Sequence, residues 1–507
     1  MYIRVARAIL FFVFSISSIF KSFSQIEQPT RFEIGMGTFD RGFEIIALKD
    51  RGIVLYRQTN DRSGDGRTWQ VIYLDNNLEM IWDKEYVLPF ELELVGYAGN
   101  SRYFYLLFSN KKTNNKQFEL YEFDFEGNSP SNYTITNLFP MYLSHFEVSD
   151  NAAILGGYLN YKPVVIHFGF SNQRPIVLPT IYNRNTEIIQ VKVNNDNTIT
   201  VLISERTQDN RITIAIKHFD KDGALLLSNA LEPSEGNNFI FGRVAGDDSG
   251  AVLVAGTYST TKSAYSRGIF ISRLGQDGSE NSNYYNYADL KNFFNYMKAS
   301  REKRVRERIA RKKIKGKKLR FNYRLLVHEI IDTEDGFIML GEAFYPKYSS
   351  RGSMGYEAVL NPMTGNYLGM YLEGYKYTHA VVIEFDEKGR IKWDNSFEIT
   401  DVLTSNLNQF VNATVEGDNI VLLYLFENII RSKIIQGDQV LEGKSYEDLR
   451  LKYENDQVRN SDVEFGGIEK WSDDTFVAYG VQRIRNMKDS GVDLNRRVFF
   501  VNKLIYK

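Results

Sequence analysis

One short pattern returns along the whole chain: an acidic or Asn turn, a small residue, then a run of apolar ones. It reads Asp50-Arg51-Gly52-Ile53-Val54-Leu55, Asn100-Ser101-Arg102-Tyr103-Phe104, Asp150-Asn151-Ala152-Ala153-Ile154-Leu155 and Asp196-Asn197-Thr198-Ile199. It continues with Asp248-Ser249-Gly250-Ala251-Val252-Leu253, Asp335-Gly336-Phe337-Ile338-Met339, Asp418-Asn419-Ile420-Val421-Leu422 and Asp474-Thr475-Phe476-Val477. Uninterrupted copies lie roughly 46 to 56 residues apart, the period of a four-stranded propeller blade. The eight copies predict an all-β chain, a β-propeller of eight blades, each a four-stranded antiparallel sheet. Seven blades, with one weak unit acting as an insertion, is the alternative count. Length alone would divide 507 residues into several domains. Repeats that bury their faces only against neighbours make one unit instead, over 25–507.

A second landmark marks the turn between the third and fourth strands of a unit. It is clearest at Phe385-Asp386-Glu387-Lys388-Gly389, ahead of Ile391-Lys392-Trp393, and recurs at Leu74-Asp75-Asn76-Asn77, Phe123-Asp124-Phe125-Glu126-Gly127 and Phe219-Asp220-Lys221-Asp222-Gly223. Asp starts such turns by bonding its own backbone, and Gly takes the positive φ. Before them residues alternate with the period of a strand, as in Ile212, Ile214 and Ile216 against Thr213, Ala215 and Lys217. The last unit stops after its third strand, near Arg497 to Leu504, while Arg31-Phe32-Glu33-Ile34-Gly35 precedes the first. Pairing these two exposed edges closes a ring, so a closure strand is expected within about residues 30–40.

Two stretches break the period. One, 345–377, is rich in Gly, Tyr and Ser and reads as an extended hairpin between the second and third strands of the sixth unit. The other, 284–320, reads as a helical insertion, with Leu290, Phe293, Phe294, Met297, Val305 and Ile309 at near-helical spacings. Its basic residues are Arg301, Lys303, Arg304, Arg306, Arg308, Arg311, Lys312, Lys313, Lys315, Lys317, Lys318 and Arg320. Against them stand only Glu302 and Glu307, a local charge of +10 in a chain whose formal charge is −1. Such a segment repels itself, and i,i+4 Glu–Lys pairing is nearly absent to offset that. These residues are the candidate partner-binding set, facing an acidic partner protein, the acidic remainder of this chain or anionic lipid. The alternative is a solvated, charge-rich helix lying across the propeller, held by Phe293, Phe294 and Met297.

Arg4 and Arg7, the apolar run Ile9 to Phe20, and Ser22-Phe23-Ser24 read as a signal peptide over 1–24. The run is short of the roughly 20 residues that cross a bilayer, so cleavage and export to the periplasm, or beyond it, is expected, with no transmembrane span in the mature chain. Loss of Arg4, Arg7 and Lys21 leaves an acidic protein, and nucleic acid is not an expected partner. The chain has no cysteine, which excludes disulfides and thiolate metal sites.

Catalytic motifs are missing from the sequence. The five histidines, His145, His167, His218, His328 and His379, share no metal-ligand spacing. His328-Glu329 opens like a zinc-protease helix, but Asp332 stands where the second histidine belongs, and the flanks read as a strand. Ser63-Gly64-Asp65-Gly66-Arg67-Thr68-Trp69 approximates the Asp box of sialidases once, one residue short and between the wrong strands. Asp61, Ser63 and Asp65 are too few oxygens for a calcium loop. No cofactor or metal is expected, and catalytic residues are not assignable. Trp82 and Trp393 share one position after the turn, as blade-packing residues would.

The unit G-F-I-M-L-G, Gly336 to Gly341, with A-V-V-I-E-F-D-E-K-G-R-I-K-W-D-N-S-F, Ala380 to Phe397, looks like the repeat of exported bacterial propeller proteins. A cysteine-free propeller without a recognisable catalytic set also resembles accessory subunits of outer-membrane machines. One example is the plug-type subunit that closes the periplasmic end of a type 9 secretion translocon. That resemblance implies a non-catalytic protein-interaction module, a plug or scaffold of an outer-membrane secretion complex. The alternative is a propeller that binds or cleaves a glycan at its central channel.

Overall fold

A computed structural model describes residues 26–506, apart from 65, 138, 180–185, 210, 246–251, 262, 276–277, 318, 350–358, 361–366, 369–370, 473 and 490. The segment 1–24, Asp65, the turn 248–250, Lys318 and much of 345–377 lie outside the described residues. Eight antiparallel sheets follow one another along the chain, each built on four successive positions. The chain is an eight-bladed β-propeller. The first strands of blades 1 to 8 are Glu44–Ala47, Leu92–Gly99, Met141–Val148, Glu187–Val193, Asn238–Ala245, Arg324–Thr333, Asn412–Glu416 and Asp456–Lys470. They pack beside one another around the axis.

The repeating apolar run is the second strand of each blade. In Tyr103–Asn110, every residue from Phe104 to Ser109 is buried, because neighbouring blades cover both faces of the sheet. A strand enclosed in this way loses its alternation and becomes a continuous apolar run. The small residue ahead of the run has its own cause. At Gly52 and Gly336, with φ of 107° and 152°, a Cβ would come 2.1 Å from the carbonyl oxygen of Leu74 or Phe385. Those oxygens end the third strand, so the motif is small where the second strand begins beside it.

The Asp–Gly turn also joins blades. Asp386 accepts the amides of Lys388 and Arg390, both at 2.9 Å; Asp220 and Asp75 bind the amides two and four residues on in the same way. The turn glycine then lies against the preceding blade: Gly127 on Trp82, Gly389 on Ile271 and Gly437 on Trp393. Trp82 donates its indole N–H to the Phe125 carbonyl at 3.0 Å, inside the next blade's turn.

Blade 8 takes its outermost strand from the start of the chain. Arg31–Gly35 pairs antiparallel with Val498 to Asn502, and Ile26–Glu27 continues the ladder to Ile505 and Tyr506. Arg31 fixes this seam. Its side chain, 4% exposed, donates to Glu33 at 2.7 Å, to Asn502 and Gln482 at 2.8 Å each, and to the Arg450 carbonyl at 3.2 Å. Arg496 links Glu33 to Asp456 across the blade.

In blade 6 the second and third strands, Gly336–Ser349 and Tyr371–Phe385, run on as a two-stranded ribbon to the pair Ser349 and Tyr371. Val359–Leu360 pairs with Tyr367–Leu368 within the same excursion. The other insertion is helical only in part. The outer strand of blade 5 occupies Glu280–Asn286, and the helix, α1, covers Ala299–Ile314 rather than all of 284–320. A helix through 293–294 would turn the two phenylalanines about 100° apart, yet both are fully buried in the same core. No helix among the described residues is long and apolar enough to cross a membrane.

Candidate functional site

The insertion is moored to blade 6 by both polar and aromatic contacts. Asn286 opens a capping box over Tyr287–Asp289. The backbone N–H groups of Lys291 and Asn292 then each donate to the Asp394 carboxylate at 2.7 Å. The Asn292 side chain donates to the Asp394 carbonyl at 2.9 Å, and Ser396 returns a hydroxyl bond to the Asn292 carbonyl at 2.9 Å. Burial raises the Asp394 pKa even against those donated bonds. Beyond them Phe293 and Phe294 enter the core shared by blades 5 and 6.

His379 completes the mooring. Tyr296 stacks on its ring with centroids 3.7 Å apart and planes 5° from parallel, while Phe293 and Tyr323 meet it edge-on. Thr378 Oγ1 lies 2.9 Å from Nδ1, and Nε2 is buried without a hydrogen-bond partner. Complete burial pushes the His379 pKa down to about 3, so the ring is neutral and packs as an aromatic group.

From this base α1 stands largely in solvent. Val305 and Ile309 lean on the core, and no α1 residue is fully buried. Arg301, Lys303, Arg304, Arg308 and Arg311 are exposed, as are Lys313, Lys315, Lys317 and Arg320. Lys312 is half-buried; Arg306 is bound by Glu302 and Asn295, each at 2.6 Å. Lys313 meets Asp289 at 3.0 Å. Among the described residues these are the only ion pairs of the cationic set, so most of its charge faces water. Arg311, Lys312 and Lys313 sit in the last turn of α1, where the helix dipole favours cations.

The central channel is the other place where chemistry gathers, and its members were not assignable from sequence. Glu44, Tyr97, Glu147, Arg243 and Glu469 project from first strands of five blades. Glu44, Tyr97 and Glu147 are accessible to solvent, yet the surrounding walls strip away much of their hydration. Desolvation raises Glu147 and Glu469 each to about 7, Arg243 opposing the shift at Glu147 and Tyr479 opposing it at Glu469. Tyr479 donates to Glu469 at 3.1 Å. Glu44 is raised by burial as well, and Arg243 is lowered.

The histidines scatter. His328 lies on the first strand of blade 6 and meets the fully buried Glu342 carboxylate at 2.7 Å. Glu342 also accepts the amides of Phe410 and Val411. His167 meets the Lys221 carbonyl at 3.0 Å and His218 the Thr200 hydroxyl at 3.1 Å. No group of three or more His, Asp or Glu among the described residues is placed to hold a metal ion.

No protein-family model matches the sequence, and no curated protein matches it. Solved structures with a similar course of the chain include polysaccharide lyase Uly1, 8% identical with a TM-score of 0.41 over 81% of this chain and 90% of that one. The Dos1 propeller is 11% identical with a TM-score of 0.36, over 82% and 92%. The β-propeller domain of the Trilobed protease from Pyrococcus furiosus is 10% identical with a TM-score of 0.36, over 81% and 93%. At these values no activity or partner carries over to this chain.

Proposed function

We propose that this protein is a non-catalytic interaction module that docks through α1 onto an acidic surface. In this reading it is exported and serves as a plug or scaffold of an outer-membrane protein secretion complex, of the type 9 kind. The observation that supports docking is the contrast within one insertion. Residues 287–297 are locked into the core by Phe293, Phe294, Tyr296 and Asp394, while the cations that follow are held out with few partners. Rigidly presented like charge raises the association rate with an oppositely charged surface and disfavours other partners.

The test is charge reversal at Lys303, Arg304, Arg308 and Arg311 to Glu. The variant is expected to keep the wild-type melting temperature and to lose its partners in pull-downs from gently solubilised envelopes, read by mass spectrometry. An unchanged set of partners sinks the docking reading. A second reading, glycan binding or cleavage in the channel, draws on Glu147 and Glu469, which can exchange protons near neutral pH. Hydrolysis of a glycoside that is abolished by Glu147→Gln or Glu469→Gln would favour it.

A further inference from the structure

Between blade 5 and the C-terminal end of α1 lies a pocket of about 390 Å³. Tyr258, Thr260 and Arg267 of blade 5 form one wall, and Asp289, Lys313 and Arg320 the other. Ala288 and Leu319 add apolar surface beside the Tyr258 ring. The volume falls within the range of small-ligand sites, roughly 300–1,000 Å³.

Three cations here face one carboxylate, and that carboxylate is already engaged. One Asp289 oxygen meets Lys313 at 3.0 Å, and the other accepts the Asn286 amide at 3.3 Å. Arg267 donates through Nη1 to the Asn322 side chain, but its Nε is buried with no hydrogen-bond partner. Neither Arg267 nor Arg320 has an ion pair among the described residues. That Nε is closed to solvent, as are those of Arg324, Arg431 and Arg485, so Arg267 joins the pocket lining through its other atoms. A guanidinium there adds positive charge and N–H donors suited to an anion's oxygens. Three cations against one engaged carboxylate make the lining suited to an oxyanion.

Its charge can be narrowed. Two positive charges remain after Asp289 is counted against the three cations. A carboxylate would balance one of them, whereas a phosphomonoester carries about −1.5 to −2 near neutral pH and offers three acceptor oxygens. The remaining volume and the Tyr258, Ala288 and Leu319 surface suit an organic body attached to the phosphate. We propose that this pocket binds a phosphomonoester group, carried by a small soluble molecule or by the headgroup of an anionic lipid. The site goes beyond the docking role of α1, because Arg267 and Thr260 belong to blade 5 and the exposed cations of the first turns of α1 do not line it.

The experiment titrates the full chain with glycerol phosphate in a calorimeter at fixed ionic strength. Saturable one-site binding is expected, weakened about tenfold or more in Arg267→Gln. Thr260→Glu, at an exposed position that adds a carboxylate without removing a packed group, is expected to weaken it comparably. Lys162→Gln, at an exposed cation of blade 3 outside the pocket, should leave affinity within about twofold, since exposed charges farther off are screened. Vesicles of phosphatidylcholine containing phosphatidic acid distinguish the sources. Retention that depends on Arg267 and is competed by glycerol phosphate assigns a lipid headgroup; binding of glycerol phosphate without such retention assigns a soluble ligand. The proposal is overturned if glycerol phosphate gives no saturation, or if Arg267→Gln and Thr260→Glu both bind as the wild type does. Charge reversal on α1 that abolishes pull-downs but spares phosphate binding separates this site from the docking role.

Discussion

Gly336 begins a strand beside the carbonyl that ends the next one, and a single methyl group there has nowhere to go. Gly336→Ala must displace the Phe385 oxygen or abandon the positive φ. A loss of about 1–3 kcal/mol in denaturant unfolding is expected. Gly443, with open space around its Cα, is the control: Gly443→Ala should change stability by less than about 0.5 kcal/mol. His379 gives a titration at the same scale. Its ordinary pKa is 6.5, and burial holds it at about 3 in the folded chain. The unfolded chain therefore binds the extra proton, and this contribution to stability is complete above 6.5 and drains away as pH falls toward 3. His379→Phe keeps the stacking surface for Tyr296. Its difference from wild type should narrow or reverse as the pH is lowered through that window, as urea unfolding at several pH values would show.

The closure strand and α1 are the two elements that set this propeller apart, and they were unequally legible. Arg31–Gly35 could be placed from the missing fourth strand of the last unit, since an unpaired edge must be covered. Its seam rests on a buried cation: Arg31→Ala leaves Glu33, 5% exposed, with Arg496 at 3.3 Å as its remaining ion pair, strips Asn502 and Gln482 of a donor, and should cost about 1–3 kcal/mol. A double-mutant cycle with Glu33→Gln, by equilibrium unfolding, should recover part of that loss. The charge of the insertion was visible in composition, because twelve cations fall within the twenty residues 301–320, eight of them in α1. The true start of α1 at Ala299 was hidden, because Phe293, Phe294 and Met297 keep helical spacing while Asp394, a hundred residues away, holds the backbone in another form. Arg267 was invisible for a similar reason. Nothing near it in sequence shows that Lys313 and Arg320 will stand beside it.

Over the whole molecule the blades bring carboxylates from distant segments to one axis. Spacing could count the blades but could not say which Glu residues converge there. Glu469 titrates at about 7 rather than 4.5, so the folded chain holds this proton more tightly than the unfolded one. Its contribution to stability is complete below 4.5 and is lost as pH rises through 7. Glu469→Gln should therefore gain on wild type between pH 5 and 8, the direction opposite to His379, and comparing melting temperatures across that interval checks it. The seam of blade 8 also has a temporal consequence. Residues 31–35 leave the ribosome early and residues 498–502 late, so a partner separated by almost the whole chain must be awaited. Until it arrives, blade 1 has one bare flank and the first-made strand has an unsatisfied ladder, a state open to pairing with other chains.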